Sequence, residues 1–149
     1  MRKAYTAYPM DEPDPGLKDP KRVWMPILMV RLIANHQVTP FLIPAVVDSG
    51  SPYCLARSEV ADFLRLKVES GSSHKLGGII AGMREPVYFH NCKLEIENSG
   101  LIETKVGFMK NLSFPIILGR RGFFDSFIVQ FDHTKNPAEF EITKIQRAS

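Results

Sequence analysis

The sequence predicts a mainly β domain in which antiparallel strands dominate and helix is confined to one or two short stretches. Three observations carry this. Runs rich in Val, Ile, Leu, Phe and Thr recur along most of the chain, separated by Gly, Ser, Asn and Pro. Only "SEVADFLRL", residues 58 to 66, has convincing helical spacing. There is neither internal repeat nor low complexity, so the strands belong to one sheet-rich body.

At 149 residues the chain is the size of one ordinary domain, long enough to bury about two-thirds of its unfolded surface. Its hydrophobic fraction of 44% and charged fraction of 23% are those of an ordinary soluble globular protein. The net charge of +3 comes from scattered basic residues, with short pairs at Lys21-Arg22 and Arg120-Arg121. Nucleic-acid binding needs basic residues clustered on one face, so no nucleic-acid partner is expected. "MRKAYTAYPMDEPDPG" has no apolar leader, and no run approaches the roughly 18 apolar residues of a membrane helix. The expectation is a soluble, cytoplasmic protein with no membrane partner. Cys54 and Cys92 are then expected to be free buried thiols, and the "NLS" triplet at residues 111 to 113 carries no meaning without secretion.

Residues 1 to 22 carry Pro9, Pro13, Pro15 and Pro20 among acids and lysines, and read as an extended arm, expected to be solvated. The folded domain is expected over 23–149. "VWMPILMVRLIA" is a β-rich run, "NHQ" a turn, and "VTPFLIPAVV" a second run that ends at Asp48. Pro26, Pro40 and Pro44 require edges or bulges there. In the helical stretch Ser58 is the expected N-cap, and Val60, Phe63, Leu64 and Leu66 form its apolar side. "PVYFHNCKLEI", "LIETKVGFM" and "FPIILG" follow as strands, "RRGFFDSF" as one or two helical turns, and "FIVQFD" and "AEFEITKI" as a hairpin around "HTKNP".

The chemistry turns on "FLIPAVVDSGSPYC", residues 41 to 54. A carboxylate at the end of an apolar strand is either the start of a surface Asp-Ser-Gly turn or a group held for general acid and base work. A nucleophilic Ser49 would need a histidine base, and His36, His74, His90 and His133 share no pattern that supplies one. Zinc is not indicated, because no Cys-x-x-Cys or paired histidine spacing occurs. "GGIIAG" lacks the spacing of a phosphate loop and reads as a flexible hairpin. One aspartate cannot run a two-carboxylate mechanism, and the chain has no second Asp-Ser-Gly or Asp-Thr-Gly. A partner aspartate would come from an identical subunit across a two-fold axis.

Three stretches resemble the retropepsin-like aspartic proteases. "PAVVDSGSPYCLARSEVADFLRL" is similar to their active-site segment, "HKLGGIIAGMREPVYF" stands where the family has its flap, and "FPIILGRRGFFDSFIVQFD" is similar to its apolar-apolar-Gly-Arg stretch. The resemblance covers residues 23 to 149, and the extended final hairpin is closer to bacterial single-domain members than to the viral enzymes.

The resemblance implies a closed β-barrel of the acid protease type and a homodimeric aspartic endopeptidase acting on peptide or protein substrates without a cofactor or metal. Asp48 matches the catalytic aspartate, completed by its copy in the other subunit. Ser49 matches the residue whose hydroxyl braces the paired loops, and Gly50 the glycine that lets a peptide backbone approach. Gly77, Gly78, Ile79, Ile80, Ala81 and Gly82 match the flap, and Gly119 and Arg120 the Gly-Arg behind the active-site loop. Many viral members pair that arginine with an acid at the position of Pro52, so Arg120 is expected to find Asp125 or Asp62 instead. Tyr53 and Cys54 are bulkier than usual for this loop. The rival reading is a catalytically silent protein of this fold that binds peptides or a partner.

Overall fold

A computed structural model describes residues 1–9, 21–75 and 85–147. Two short strands open the chain, β1 (Arg2–Ala4) and β2 (Thr6–Pro9). They are followed by β3 (Arg22–Met25), β4 (Ile27–Ala34), β5 (Gln37–Val38) and β6 (Ile43–Val47). Pro26 separates β3 from β4, as its missing N–H requires. The "NHQ" turn is built on Asn35 and His36 at φ 49° and 57°, the left-handed pair that suits a tight hairpin. After β6 come β7 (Cys54–Arg57), the helix α1 (Ser58–Phe63), a 3₁₀ turn (Val68–Ser70) and β8 (Ser72–Lys75). The long hairpin β9 (Pro86–Ile96) and β10 (Gly100–Met109) leads to β11 (Ile116–Leu118), and β12 (Phe127–Asp132) and β13 (Glu139–Lys144) end the fold.

Six strands close a barrel in the order β4-β6-β11-β7-β10-β9 and back to β4, with β5 and β8 extending its margins. The expected mainly β barrel with little helix is therefore what the chain adopts. One part of the expectation needs correcting. The sheet is mixed, because β11 inserts between β6 and β7 and runs parallel to β6 and antiparallel to β7; β7 and β10 are also parallel. The interior holds Leu28, Leu32, Leu94, Phe108, Ile116 and Leu118, all fully buried, at alternate positions of their strands. Burial of these aliphatic and aromatic side chains is the main stabilising contribution.

β1 pairs with β13 and β2 with β3, so the first nine residues run as strands along the body rather than as a solvated tail. Residues 10–20 lie outside the described residues.

The helix also departs from expectation. Its cap position is Arg57, which makes no side-chain capping bond, and Ser58 is already helical. Arg65, at φ 50°, ends it before Leu66. Phe63 lies on the outside, 44% exposed, edge-on against Phe41 with centroids 5.0 Å apart. "RRGFFDSF" forms turns instead of helix, because Gly122 takes φ 98° and breaks the right-handed course. Phe123 and Phe127 nonetheless reach the core, stacked at 5.1 Å.

Candidate active site

β6 carries an apolar lead-in to a half-buried Asp48. Val47 donates its N–H to the Pro26 carbonyl at 2.9 Å, and Asp48 donates to the Leu118 carbonyl at 3.0 Å, so the ladder with β11 runs one residue past the strand. The chain then turns. Gly50 N–H donates to Asp48 Oδ1 at 2.8 Å, Ser51 N–H to the Asp48 carbonyl at 3.2 Å, and Ser51 Oγ to the Tyr53 carbonyl at 2.7 Å. These bonds fix the Asp48 carboxylate against the first turn of its own loop, an Asx-type arrangement.

A second segment clamps that loop from behind. Arg120 donates its backbone N–H to the Ser51 carbonyl at 2.9 Å, and Arg121 to the Pro52 carbonyl at 3.0 Å. The Arg120 guanidinium donates to the carbonyls of Ser49 at 2.9 Å and Gly50 at 3.3 Å. The expected pairing of Arg120 with Asp125 or Asp62 is thus not formed. Without an acid at Pro52, the guanidinium satisfies itself on the loop's own carbonyls, while Asp125 accepts the Gly122 N–H at 3.1 Å. Gly119 is buried where a Cβ would stand 2.1 Å from the Tyr53 carbonyl oxygen and 2.8 Å from that of Ser51. Only glycine fits where the two backbones cross this closely.

Asp48, Ser49, Gly50, Gly119 and Arg120 are therefore brought together. Ser49 is exposed, and its carbonyl, not its hydroxyl, meets Arg120. Gly77, Gly78, Ile79, Ile80, Ala81 and Gly82 lie outside the described residues. The strands on either side, β8 and β9, are paired antiparallel from Ser72↔Phe89 to Lys75↔Pro86. Glu85 accepts the backbone N–H groups of Lys110 and Asn111 at 2.6 and 3.0 Å, tying the start of β9 to the loop after β10. That role was hidden in the sequence, because a carboxylate that accepts backbone donors has no fixed partner spacing.

On the outer side of the barrel wall, Ile27, Val46, Ile117 and Leu55 stand on adjacent strands at paired positions. Ile117 packs both with the group Ile27, Val46 and Phe114 and with the group Leu55, Val87 and Phe89, so the two groups form one continuous apolar floor. By strand alternation Asp48 lies on the same side as Val46, two residues on. Next to the floor, Tyr53 packs edge-on against Phe89 at 5.0 Å, and the Arg121 guanidinium sits 5.5 Å from the Tyr53 ring centroid. They help line a cavity of about 520 Å³ that also includes His74, Lys105, Asp125 and Arg147. The sequence marked Tyr53 by its bulk and Arg121 only as half of a basic pair.

Both cysteines are free and buried. Burial raises the Cys54 thiol pKa, against the opposing hydrogen bonds of the Gly119 and Phe123 backbone, and pushes Cys92 up to about 12. His90 Nε2 meets the Val68 carbonyl at 2.8 Å, His133 the Tyr5 hydroxyl at 3.0 Å, and His74 lies edge-on to Phe89 with centroids 5.3 Å apart. Among the described residues no cluster of three His, Cys, Asp or Glu is placed to hold a metal ion, and no helix is long and apolar enough to cross a membrane.

No family model matches the chain, and no curated protein matches it in sequence. Among solved structures it is similar to the retroviral protease-like domain of Ddi1 from Leishmania major, at 18% identity and a TM-score of 0.43, covering 62% of this chain and 71% of that one. It is also similar to the EIAV protease complexed with the inhibitor HBY-793, at 18% identity and a TM-score of 0.40, covering 72% and 88%. Both are retropepsin-like folds.

Proposed function

We propose that the chain is an aspartic endopeptidase that works as a homodimer, with Asp48 and Asp48 of the partner subunit forming the catalytic pair. The observation that carries the reading is the setting of Asp48. Its carboxylate is oriented by Gly50 N–H, its loop is clamped by Arg120, and it adjoins an apolar floor suited to the side chains of an extended peptide.

Two carboxylates roughly 3 Å apart cannot both ionise, as in aspartic proteases as a class. One accepts a proton from a water molecule as its oxygen attacks the scissile carbonyl. The other, protonated, donates to the carbonyl oxygen, giving a gem-diol. Proton transfer to the departing nitrogen then breaks the C–N bond, leaves a carboxylic acid and an amine, and returns the dyad to its shared-proton state. Ser49, exposed beside Asp48, is available to brace the partner's loop, and residues 77–82 would cover the bound peptide.

The test compares wild type with Asp48→Asn on a mixed peptide library, with the oligomeric state measured in the same buffer. Cleavage by the wild type alone supports the mechanism; equal cleavage by both rules it out. Peptide binding by a proven dimer that cuts nothing would establish the silent binder instead.

A further inference from the structure

Half of the apolar floor is covered by the N-terminal strand β2. Tyr8 of β2 packs on the group Ile27, Val46 and Phe114 together with Met25 and Met29, its ring 4.2 Å from that of Phe114 and tilted by 35°. Val46 is the residue two before Asp48 and on the same side of β6. The other half, around Leu55 and Phe89, is covered by Tyr53, Met109 and Leu112, and nothing from the first nine residues reaches it.

The walls of the Tyr8 site are firmly held. Phe114 lies in a loop whose Leu112 and Ser113 carbonyls each accept from the Arg57 guanidinium at 2.8 Å, while Pro115 accepts the Arg57 N–H at 3.0 Å. Ile27 and Val46 belong to the barrel ladder. The occupant is held far less firmly. Among the described residues, β2 is a four-residue strand paired on one side only, with β3, and it ends in Pro9, which has no N–H to give. Thr6 and Pro9 are exposed. Its neighbour β1 is anchored separately on β13, and Tyr5 N–H donates to the Ala138 carbonyl at 2.7 Å. Tyr8 can therefore leave while the β1 end of the strap stays attached.

We infer that Tyr8 occupies a binding site for a large aromatic side chain of an extended peptide, and that β2 is a displaceable strap a peptide must lift to reach the floor beside Asp48. A rigid apolar site, filled by a lightly held aromatic from an extended strand, identifies its own ligand chemistry: an aromatic residue within a β-conformation peptide. The inference rests on the proposed peptide cleft, but it is read by binding and not by cleavage.

The experiment uses the full chain carrying Asp48→Asn, so that no probe is cut, and a fluorophore-labelled peptide of sequence AYTAYP, the chain's own residues 4–9. Apparent affinity is the intrinsic affinity scaled by the fraction of molecules with the strap open. If that fraction is about one tenth, adding Tyr8→Ala should tighten binding roughly tenfold, and the peptide AYTAAP should lose it. Tyr8→Phe should leave binding as weak as in the Tyr8 protein. Trp24, the single tryptophan, pairs with Ala7 of β2 and is 54% exposed, so it reports on the strap without any change at Tyr8. Saturating AYTAYP should alter its emission and its quenching by acrylamide in the Tyr8 protein. Equal affinity with and without Tyr8, equal affinity for AYTAAP, absence of binding to both proteins, or binding that leaves Trp24 unchanged would each overturn the inference. The endopeptidase reading fails on a different result, equal cleavage by wild type and Asp48→Asn, which leaves these binding outcomes readable.

Discussion

The Arg120 guanidinium donates to the Ser49 carbonyl at 2.9 Å, so the segment leaving β11 holds the turn that carries Asp48. The two residues are 71 positions apart in sequence, and the bond is one of several that make the two loops a single unit. A guanidinium on two neutral carbonyls stabilises modestly at a solvent-facing position, about 1 kcal/mol. Arg120→Ala should therefore lower the urea midpoint slightly while reducing peptide cleavage severely, because the Asp48 carboxylate loses its fixed orientation. Arg120→Lys, which cannot span both carbonyls from a planar fork, should recover the midpoint more fully than the activity. Urea unfolding and initial rates on one peptide decide this; parallel losses in both would mean that Arg120 acts on stability alone.

Two glycines beside Asp48 should respond differently to the same change. At Gly119 an added methyl meets the Tyr53 carbonyl oxygen at 2.1 Å and its carbon at 2.5 Å, and backbone cannot move aside cheaply. Gly119→Ala should cost more than about 2 kcal/mol and lower Tm sharply. At Gly50 the methyl meets only Asp48 Oδ1, at 3.0 Å, and a side chain can rotate. Gly50→Ala should keep Tm within a few degrees yet depress cleavage by turning the carboxylate. Thermal melts of the pair check the contrast.

The barrel was legible in the sequence because its strands announce themselves locally. "PVYFHNCKLEI" alternates over Pro86–Phe89 and again over Asn91–Ile96, its phase slipping by one residue at His90, as a period of two demands within each half. Asp48 was legible from an apolar run that stops at an acid. What could not be read depends on distant partners. β1 is a strand because β13 lies beside it, 139 residues on at Arg2↔Glu141, and no local pattern reveals that pairing. The same holds for Tyr8, whose proline-rich surroundings resemble a tail until Phe114 is placed against it. At "RRGFFDSF" the aromatic spacing imitates a helix, while Gly122 at φ 98° decides for a turn.

Burial of the cysteines predicts both reactivity and pH dependence. The thiolate is the reactive form, and burial disfavours it at both sites. Native protein at pH 8 should resist iodoacetamide at Cys54 and Cys92, and protein in denaturant should take up two labels. The Cys92 thiol is raised from 9.0 to about 12 in the folded state. A raised folded pKa contributes stability that is fully present below the unfolded value and is lost as pH rises through the folded one. Wild type should therefore lose stability between pH 9 and 12 more steeply than Cys92→Ala. Urea midpoints across that range would show parallel curves if Cys92 has no part in it.

The single Asp48 per chain makes the proposed enzyme sensitive to mixing. If each active unit needs Asp48 from both subunits, equal amounts of wild-type and Asp48→Asn chains, unfolded together and refolded, should form wild-type pairs in about one quarter of dimers. Total activity should then fall to about a quarter of that given by the same total amount of wild type. A chain that acts alone would keep one half, and a dimer in which one carboxylate suffices would keep about three quarters. Wild-type activity per chain should also rise with protein concentration until the dimer is fully formed and then level off. A mixing curve that is linear in the wild-type fraction, together with a concentration-independent specific rate, would remove the partner's Asp48 from the mechanism.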